Sequence, residues 1–378
     1  MPRREKKSKP ANEKALKHLF NFALLKRMGD SIHEHYASFK RRRFLSLAAK
    51  LDELEMKQRI HLIRDELHTL LPEAFPEALK ILLKCVRGGN LKDFDLWPIT
   101  EFIQTFGLGH PSLSLQALFE ITELFTAEWA VRPFIQNDSI TVMKFLSDCA
   151  LSKNVHLRRL ASEGTRPRLP WGVRLNEFIE NPKLTLPILE KLKFDPEIYV
   201  RKSIANHLND IAKDHPNDVI AVLKRWKKEA GSLHQLKMEW TVKRALRTLI
   251  KQGHPQALNL IGVSANAKIT LVGFKLNQRT FKIGEVLEFQ FQLKSQTAHA
   301  QKLVIDYIMH FARAHGKSSA KVFKLKSLEL SGLGLVLVQK KHRLKEVTTR
   351  KHYPGAHALE IQVNGKRLRK IQWNLNQT

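Results

Sequence analysis

The spacing of apolar residues divides the chain into two parts. Over residues 12–264, apolar side chains recur with helical spacing, as in Ala78–Leu83 and Val219–Leu223. Prolines and glycines interrupt this spacing at intervals that suit the connections between helices. We therefore predict an all-α domain over residues 12–264.

From residue 265 onward the spacing becomes that of strands. Four apolar residues alternate with polar ones in the pattern of a half-buried strand, namely Leu287, Phe289, Phe291 and Leu293. Similar alternation at Leu359–Val363 and Ile371–Leu375 flanks Asn364-Gly365, which is a strong hairpin turn signal. Because about seven short strands fit this part, residues 265–378 are predicted to form an all-β immunoglobulin-like sandwich.

The helical part contains an internal repeat. Its aligned apolar positions are Leu115, Leu157, Val200 and Val242, which are 42, 43 and 42 residues apart. A period of this length is typical of HEAT and armadillo arrays, which are built from stacked helix pairs. The predicted fold of residues 12–264 is therefore a HEAT-like helical repeat superhelix.

Basic residues outnumber acidic ones throughout the chain. Lys and Arg total 65 against 36 Asp and Glu, which gives a net charge of +29. Such an excess indicates a polyanionic partner, and the apolar share of 43% excludes a disordered polycation. Residues 1–11 are rich in basic residues and are predicted to form a disordered arm.

Three repeats carry two adjacent basic residues at equivalent positions: Arg158-Arg159, Arg201-Lys202 and Lys243-Arg244. Stacking of the repeats would align these pairs along one face, where they would follow a phosphate backbone. The alternative is an arginine at a helix start that pairs with an acid of the neighbouring repeat. The excess of positive charge favours the DNA-binding stripe.

Two more basic groups lie in the strand part, in segments that we expect to be loops. They contain Lys340, Lys341 and Arg343 in one group and Arg350 and Lys351 in the other. Because Glu346 is the acid near them, we expect these residues to hold the far side of a DNA duplex. The alternative is two solvated runs of charge.

The two cysteines and the length of the apolar runs bear on the compartment. Cys85 and Cys149 both lie in apolar helical surroundings, which suits a reducing cytoplasm. The sequence contains no run of about 18 apolar residues, so we expect no membrane span. The spacing of His33-Glu34-His35 does not suit a helical zinc site. We expect neither a metal nor a cofactor.

Two short segments place carboxylates beside aromatic rings and arginines: Phe125–Phe134 and Glu163–Trp171. Glu128 and Arg132 are four residues apart, so one interpretation is a simple ion pair on a helix that Pro133 ends or kinks. Glu163 follows Arg158-Arg159 by about one helical turn and also suits a salt bridge. The alternative is a catalytic role for both carboxylates.

Prolines shape the second segment. Pro167 and Pro170 exclude a regular helix there, so Trp171 should lie on a stiff loop. A tryptophan on such a loop packs in the core, anchors a surface contact or takes part in a site, and the residue pattern leaves these alternatives open.

These two segments resemble the HEAT-like DNA alkylation repair glycosylases of the AlkC/AlkD group, and specifically the AlkC branch. Leu19-Phe20-Asn21 and Leu54–Arg59 add to the resemblance, which covers residues 12–262. Some members of this branch also carry a C-terminal immunoglobulin-like domain. Family members often have Phe in place of Trp129, so the resemblance gives that ring no catalytic role.

The resemblance implies a monofunctional DNA glycosylase that needs no cofactor. Such enzymes hydrolyse the N-glycosidic bond of cationic alkylated bases, such as 3-methyladenine and 3-methylcytosine, in duplex DNA without base flipping. Glu128 and Glu163 would be the carboxylates, one stabilising the sugar cation and one positioning water, and Trp171 would pack against the lesion nucleotide. Which glutamate has which role is left open.

The same resemblance sets further expectations. Arg166 and Arg168 would lie close to the lesion. No lysine lies in either segment, so no Schiff-base lyase step is expected. We expect a monomer that binds duplex DNA in the bacterial cytoplasm, in association with the nucleoid. The alternatives are a non-catalytic HEAT-repeat protein that binds DNA structures and a scaffold for an acidic protein partner.

Overall fold

The structure is a computed structural model that describes residues 16–314, 318–346 and 352–376. By their internal contacts, the residues form one unit that ends at His207 and a second that begins at Leu208. Helices continue to Leu260 and strands begin at Ile269, so the predicted change from α to β near residue 265 is confirmed. The predicted basic arm, residues 1–11, lies outside the described residues.

The helices follow one another along the first 260 residues. They are α1 (Phe22–His35), α2 (Arg41–Leu45), α3 (Ala48–Leu51), α4 (Met56–Leu70), α5 (Phe75–Arg87), α6 (Trp97–Phe106), α7 (Pro111–Thr122), α8 (Arg132–Asn137), α9 (Ser139–Cys149), α10 (Val155–Gly164), α11 (Asn176–Glu180), α12 (Leu186–Leu192), α13 (Ile198–Ile211), α14 (Pro216–Glu229), α15 (Gly231–Ala245), α16 (Arg247–Gln252) and α17 (Pro255–Leu260). Short 3₁₀ turns lie at Leu16–Leu19, Asp93–Leu96 and Pro182–Leu184.

Side-chain caps and prolines decide where several helices begin. The Asn154 side chain accepts a hydrogen bond from the His156 backbone N–H at 2.8 Å and caps α10. Pro133 lies in the first turn of α8, where a missing N–H costs nothing. The prediction that Pro133 ends or kinks a helix is therefore wrong, because α8 begins at Arg132 instead.

The internal repeat is confirmed by burial. The aligned residues Leu115, Leu157, Val200 and Val242 lie on α7, α10, α13 and α15, and each is 5% exposed or less. The motif lies at the start of α7, α10 and α13. In α15 it lies near the end, because that helix already begins at Gly231.

The second unit contains a β-sandwich. Among the described residues its strands are β1 (Ile269–Leu276), β2 (Thr280–Phe281), β3 (Val286–Ser295), β4 (Gln301–Ala312), β5 (Ser318–Leu330), β6 (Leu335–Arg343), β7 (Gly355–Val363) and β8 (Lys366–Leu375). One sheet has the order β1-β3-β6 and the other β2-β8-β7-β4-β5, in which β2 pairs with β8 in parallel and the other pairs are antiparallel.

The apolar alternation and the hairpin are confirmed. Alternate residues of β3 are buried and form one core with residues of the other sheet, such as Tyr307 and Trp373. Asn364 and Gly365 join β7 to β8 with φ angles of 47° and 78°, the left-handed pair that a type I′ turn requires.

The predicted loop position of Lys340, Lys341 and Arg343 is wrong. These residues lie on β6, an edge strand of its sheet, and all three are exposed. Lys341 also pairs with Glu288 of β3 at 2.7 Å, an acid that is remote in sequence and opposes it across the sheet. Arg350 and Lys351 lie outside the described residues.

Both cysteines are buried within helices, as their apolar surroundings predict, and burial raises the pKa of the Cys149 thiol to about 12. Within the described ranges, no helix combines the length and the apolar character needed to cross a membrane.

Candidate active site

Arg132 joins the two predicted segments within the first unit. Its guanidinium is fully buried at the start of α8 and donates hydrogen bonds to the carbonyls of Gly164 and Arg166 at 2.8 Å each. It also donates to the Val173 carbonyl, at 2.7 Å from Nε and 2.5 Å from Nη2. Arg132 thus ties the end of α10 and the loop after it to the start of α8, and Glu128 has its ion pair with Arg159 instead of the alternative pair with Arg132.

Gly164 allows these two segments to come close. A Cβ atom at this position would lie 2.8 Å from a methyl group of Val131, which is closer than packed carbon atoms approach. Glycine at the last position of α10 therefore allows the segment that carries Glu128 to pack directly against it.

Arg159 lies between the two predicted carboxylates. It forms a short ion pair with Glu128, and its Nη1 also donates to the Thr126 hydroxyl at 3.0 Å. Its Nη2 lies 3.8 Å from Glu163 Oε1. Its guanidinium also lies over the Tyr199 ring, 4.8 Å from the centroid. Arg159 is therefore a counter-ion that the two carboxylates share.

Glu163 has a second cation of its own. Arg166 Nη1 donates to Glu163 Oε1 at 2.6 Å. Burial opposes ionisation, but the charges of Arg166 and Arg159 outweigh it and hold the pKa of Glu163 below its ordinary value. Glu128 and Glu163 are 5% and 6% exposed, so both carboxylates are almost wholly enclosed by the protein.

Three tryptophans form a stack, and one of them, Trp129, follows Glu128 directly in the chain. Trp97 lies 4.4 Å from Trp129 with the rings 8° from parallel, and Trp171 lies 5.9 Å from Trp97 at 25°. The loop of Trp171 is held by Trp129 Nε1, which donates to the Pro170 carbonyl at 3.0 Å, and by Lys57 Nζ, which donates to the Trp171 carbonyl at 2.5 Å. The absence of regular helix around Trp171 is confirmed.

Trp171 itself is exposed and strained. Its side chain is 52% exposed and its φ angle is 65°, a left-handed conformation that a bulky residue rarely adopts. Such strain persists only where the surroundings enforce it, and it is concentrated at functional sites. Sequence reasoning missed Trp97 and Lys57, because their spacing in the chain gives no sign that they meet Trp171.

The repeated basic residues have unequal environments. Arg158 Nε pairs with Asp195 at 2.6 Å, and Arg201 Nη1 donates to the carbonyls of Asp195 and Pro196 at 2.8 and 2.5 Å. Together with Arg159 and Arg166, these arginines are held within the fold. Arg158 is therefore an arginine that pairs with an acid of the neighbouring repeat, which was the alternative to a DNA-binding stripe.

The other predicted DNA-binding residues face solvent to differing degrees. Lys202, Lys243, Lys340, Lys341 and Arg343 are exposed, and Arg168 and Arg244 are partly exposed. These residues are therefore the accessible cations of the predicted set, because the guanidinium groups of Arg158, Arg159, Arg166 and Arg201 contact carbonyls or carboxylates.

Comparison with known proteins gives three similarities. Residues 270–377 match the family described as "Uncharacterised protein YhaZ, C-terminal Ig-like domain". The chain is 36% identical to the "Uncharacterized protein YhaZ" of Bacillus subtilis (strain 168) over 353 residues, which cover 93% of this chain and 96% of that protein. It is 35% identical to the alkylpurine DNA glycosylase AlkC of Pseudomonas fluorescens bound to DNA containing an abasic site analog, with a TM-score of 0.89 over 96% of this chain and 100% of that chain.

The lowered pKa of Glu163 predicts how stability depends on pH. Its ionised carboxylate contributes stability that is present above the ordinary pKa of 4.5 and is lost as the pH falls through the lower folded-state value. As the pH falls from about 5 to about 3, the free energy of unfolding should therefore decrease less in Glu163→Gln than in the wild type. Urea titration at each pH measures this decrease. Glu177→Gln, at an exposed position of α11, is the control. Identical declines in wild type and Glu163→Gln would contradict the prediction.

Proposed function

Because the chain belongs to the AlkC branch of the HEAT-like DNA alkylation repair glycosylases, we propose that it is a monofunctional DNA glycosylase. Its substrates would be cationic alkylated bases of the 3-methyladenine and 3-methylcytosine class in duplex DNA. Hydrolysis of the N-glycosidic bond would release the free base, leave an abasic site and so initiate base excision repair.

The observation that carries this proposal is a pair of nearly buried carboxylates in a strongly basic chain. Glu128 and Glu163 share Arg159, and Trp129, adjacent to Glu128, lies 6.4 Å from the half-exposed Trp171. Binding of phosphate gains nothing from carboxylates, since like charges repel. Two enclosed carboxylates, in the two segments that also carry Trp129 and Trp171, are instead suited to a reaction that develops positive charge.

Glycosidic hydrolysis of an alkylated base develops such a charge. The base is already cationic and leaves as a neutral molecule, so the reaction needs no strong general acid. The bond between C1′ and nitrogen breaks with its electron pair going to the base, and the sugar becomes an oxocarbenium ion. One carboxylate stabilises this cation electrostatically, as in glycosidases. The other orients the water that adds to C1′ and accepts its proton.

Trp171 supplies the contact with the lesion nucleotide. An indole face attracts a cationic base or the sugar cation by about 0.5–2 kcal/mol. The strained loop and the stack on Trp97 hold the ring half-exposed, which suits contact with a nucleotide that remains in the duplex. We therefore include recognition without base flipping in the proposal.

Phosphate contacts are assigned to the exposed basic residues. Within the first unit the clearest of these is Lys202, which lies on α13 beside the buried Arg201. In the second unit the candidates are Lys243, Arg244, Lys340, Lys341 and Arg343, and Arg168 in the first unit lies on the loop that carries Trp171.

The direct test is base release from methylated duplex DNA by the wild type, Glu128→Gln and Glu163→Gln. We expect the wild type to release methylated bases, and each variant to be about a hundredfold slower or more, because each loses charge that stabilises the transition state. Chromatography of the released bases measures the rates, and a DNA-binding titration should show retained affinity. Glu177→Gln is the matched control. Tight DNA binding without release of any methylated base would instead support the non-catalytic alternative.

Neighbouring basic residues on α13 allow a matched test of DNA binding. Lys202→Ala should weaken binding and reduce the slope of log affinity against log salt concentration by about 0.9, while leaving stability unchanged. Arg201→Ala should instead destabilise the fold, because its donors satisfy two backbone carbonyls. Binding isotherms at several salt concentrations and thermal unfolding separate the two effects. An unchanged salt slope in Lys202→Ala would remove this residue from the proposed interface.

A further inference from the structure

The two predicted carboxylates are held by different parts of the backbone. Glu163 is the penultimate residue of α10, so the regular hydrogen bonds of a helix fix the backbone that carries it. Glu128 instead lies in the connection between α7 and α8, outside both helices. Because connecting segments are more mobile than the helices they join, the orientation of the Glu128 carboxylate needs restraints from side chains.

Thr126, in the same connection, supplies such a restraint. Its hydroxyl donates to Glu128 Oε2 and accepts a hydrogen bond from the Glu128 backbone N–H at 3.4 Å. The same hydroxyl accepts from Arg159 Nη1 at 3.0 Å. A hydroxyl group offers one donor and two acceptor sites, so these three bonds use its full capacity. The Thr126 hydroxyl is therefore committed to Glu128 and to the counter-ion of Glu128.

Arg159 completes a triangle of polar groups. Its Nη1 atom donates both to the Thr126 hydroxyl and to Glu128 Oε2. A terminal guanidinium nitrogen carries two hydrogens, so both bonds form at the same time. Each of the three groups thus contacts the other two. Glu128 Oε2 is consequently held by a cation of α10 and by a neutral donor of its own segment.

We propose that Thr126 is a positioning residue for the reaction, which holds the Glu128 carboxylate in one orientation against Arg159. Stabilisation of a sugar cation or orientation of water is most effective when the charged group already has its final geometry as the substrate binds. A neutral donor on Glu128 Oε2 restricts rotation of the carboxylate without removing its charge. The competing interpretation is a hydroxyl that only shapes the loop through the backbone N–H two residues on. This inference rests on the proposed glycosylase function.

The test is the single-turnover rate of base release from methylated duplex DNA for Thr126→Val and Thr126→Ala. We expect each rate to be about tenfold to a hundredfold lower than that of the wild type, the size of one hydrogen bond to a charged group. Affinity for DNA should stay unchanged, because no cation is removed. Thr126→Ser keeps the hydroxyl and should retain most of the wild-type rate. Thr122→Val is the control, because this buried hydroxyl of α7 donates to the Leu118 carbonyl at 2.7 Å instead of a carboxylate.

A double-mutant cycle separates positioning from a purely structural role. The side chain introduced by Glu128→Gln has no charge to orient, so Thr126→Val should have little further effect on the residual rate of that variant. Equal slowing in both backgrounds, or an unimpaired Thr126→Val, would overturn this inference while leaving the proposed function intact. Thermal unfolding of every variant confirms that folded protein is compared. If the wild type releases no methylated base, the proposed function and this inference fail together.

Discussion

The ion pairs of Arg159 are the interaction on which the site depends. Two carboxylates that are almost wholly enclosed repel each other, and burial disfavours the ionised form of Glu163. A guanidinium shared between Glu128 and Glu163 offsets both effects, and Arg166 adds a second cation beside Glu163. Each of the two enclosed acidic side chains thus has a cationic partner inside a chain of net charge +29. Removal of one partner from such a buried network typically costs about 3–5 kcal/mol.

A second constraint is the joining of two loops that are distant in sequence. Arg132 donates to the carbonyl of Gly164 at the end of α10 and to two carbonyls of the loop after it, so the backbone around Trp171 is fixed by hydrogen bonds in addition to its prolines. Trp171 of the same loop also stacks on Trp97, which in turn stacks on Trp129 of the other segment. The strained conformation of Trp171 is the result, and its half-exposed ring stacks on Trp97. Of the repeated arginines, Arg159 contacts the two carboxylates, whereas Lys202 of the next repeat is exposed.

Local patterns were sufficient to predict the fold. The change from helical to alternating spacing near residue 265 and the Asn364-Gly365 hairpin depend on neighbours in the chain, and the repeat depends on a regular spacing; each was confirmed. The resemblance of two segments to the AlkC branch was sufficient to identify the family. Lys340 and its neighbours were wrongly expected in a loop, because exposed lysines on an edge strand resemble loop residues in composition.

The remaining features of the site depend on contacts that sequence spacing does not encode. Arg132 donates to carbonyls that are more than 30 residues away. Because every residue has a backbone carbonyl, the sequence does not indicate which ones accept. The stack of Trp97 on Trp171 joins residues from separate helical repeats. Arg158 and Arg159 are adjacent and chemically identical, yet one pairs with Asp195 and the other with the two glutamates. Packing of α10 against its neighbours determines this difference.

That difference provides the most direct test of the account. The measurement is the pH dependence of base release by Arg159→Met, compared with Arg158→Met, which loses a buried ion pair without touching either glutamate. We expect Arg159→Met to be strongly impaired and its acid limb to move to higher pH, because Glu163 loses one of the two cations that lower its pKa. Arg158→Met should keep the acid limb of the wild type. A folded Arg159→Met protein with the rate and pH profile of the wild type would contradict the claim that this arginine keeps Glu163 ionised for catalysis.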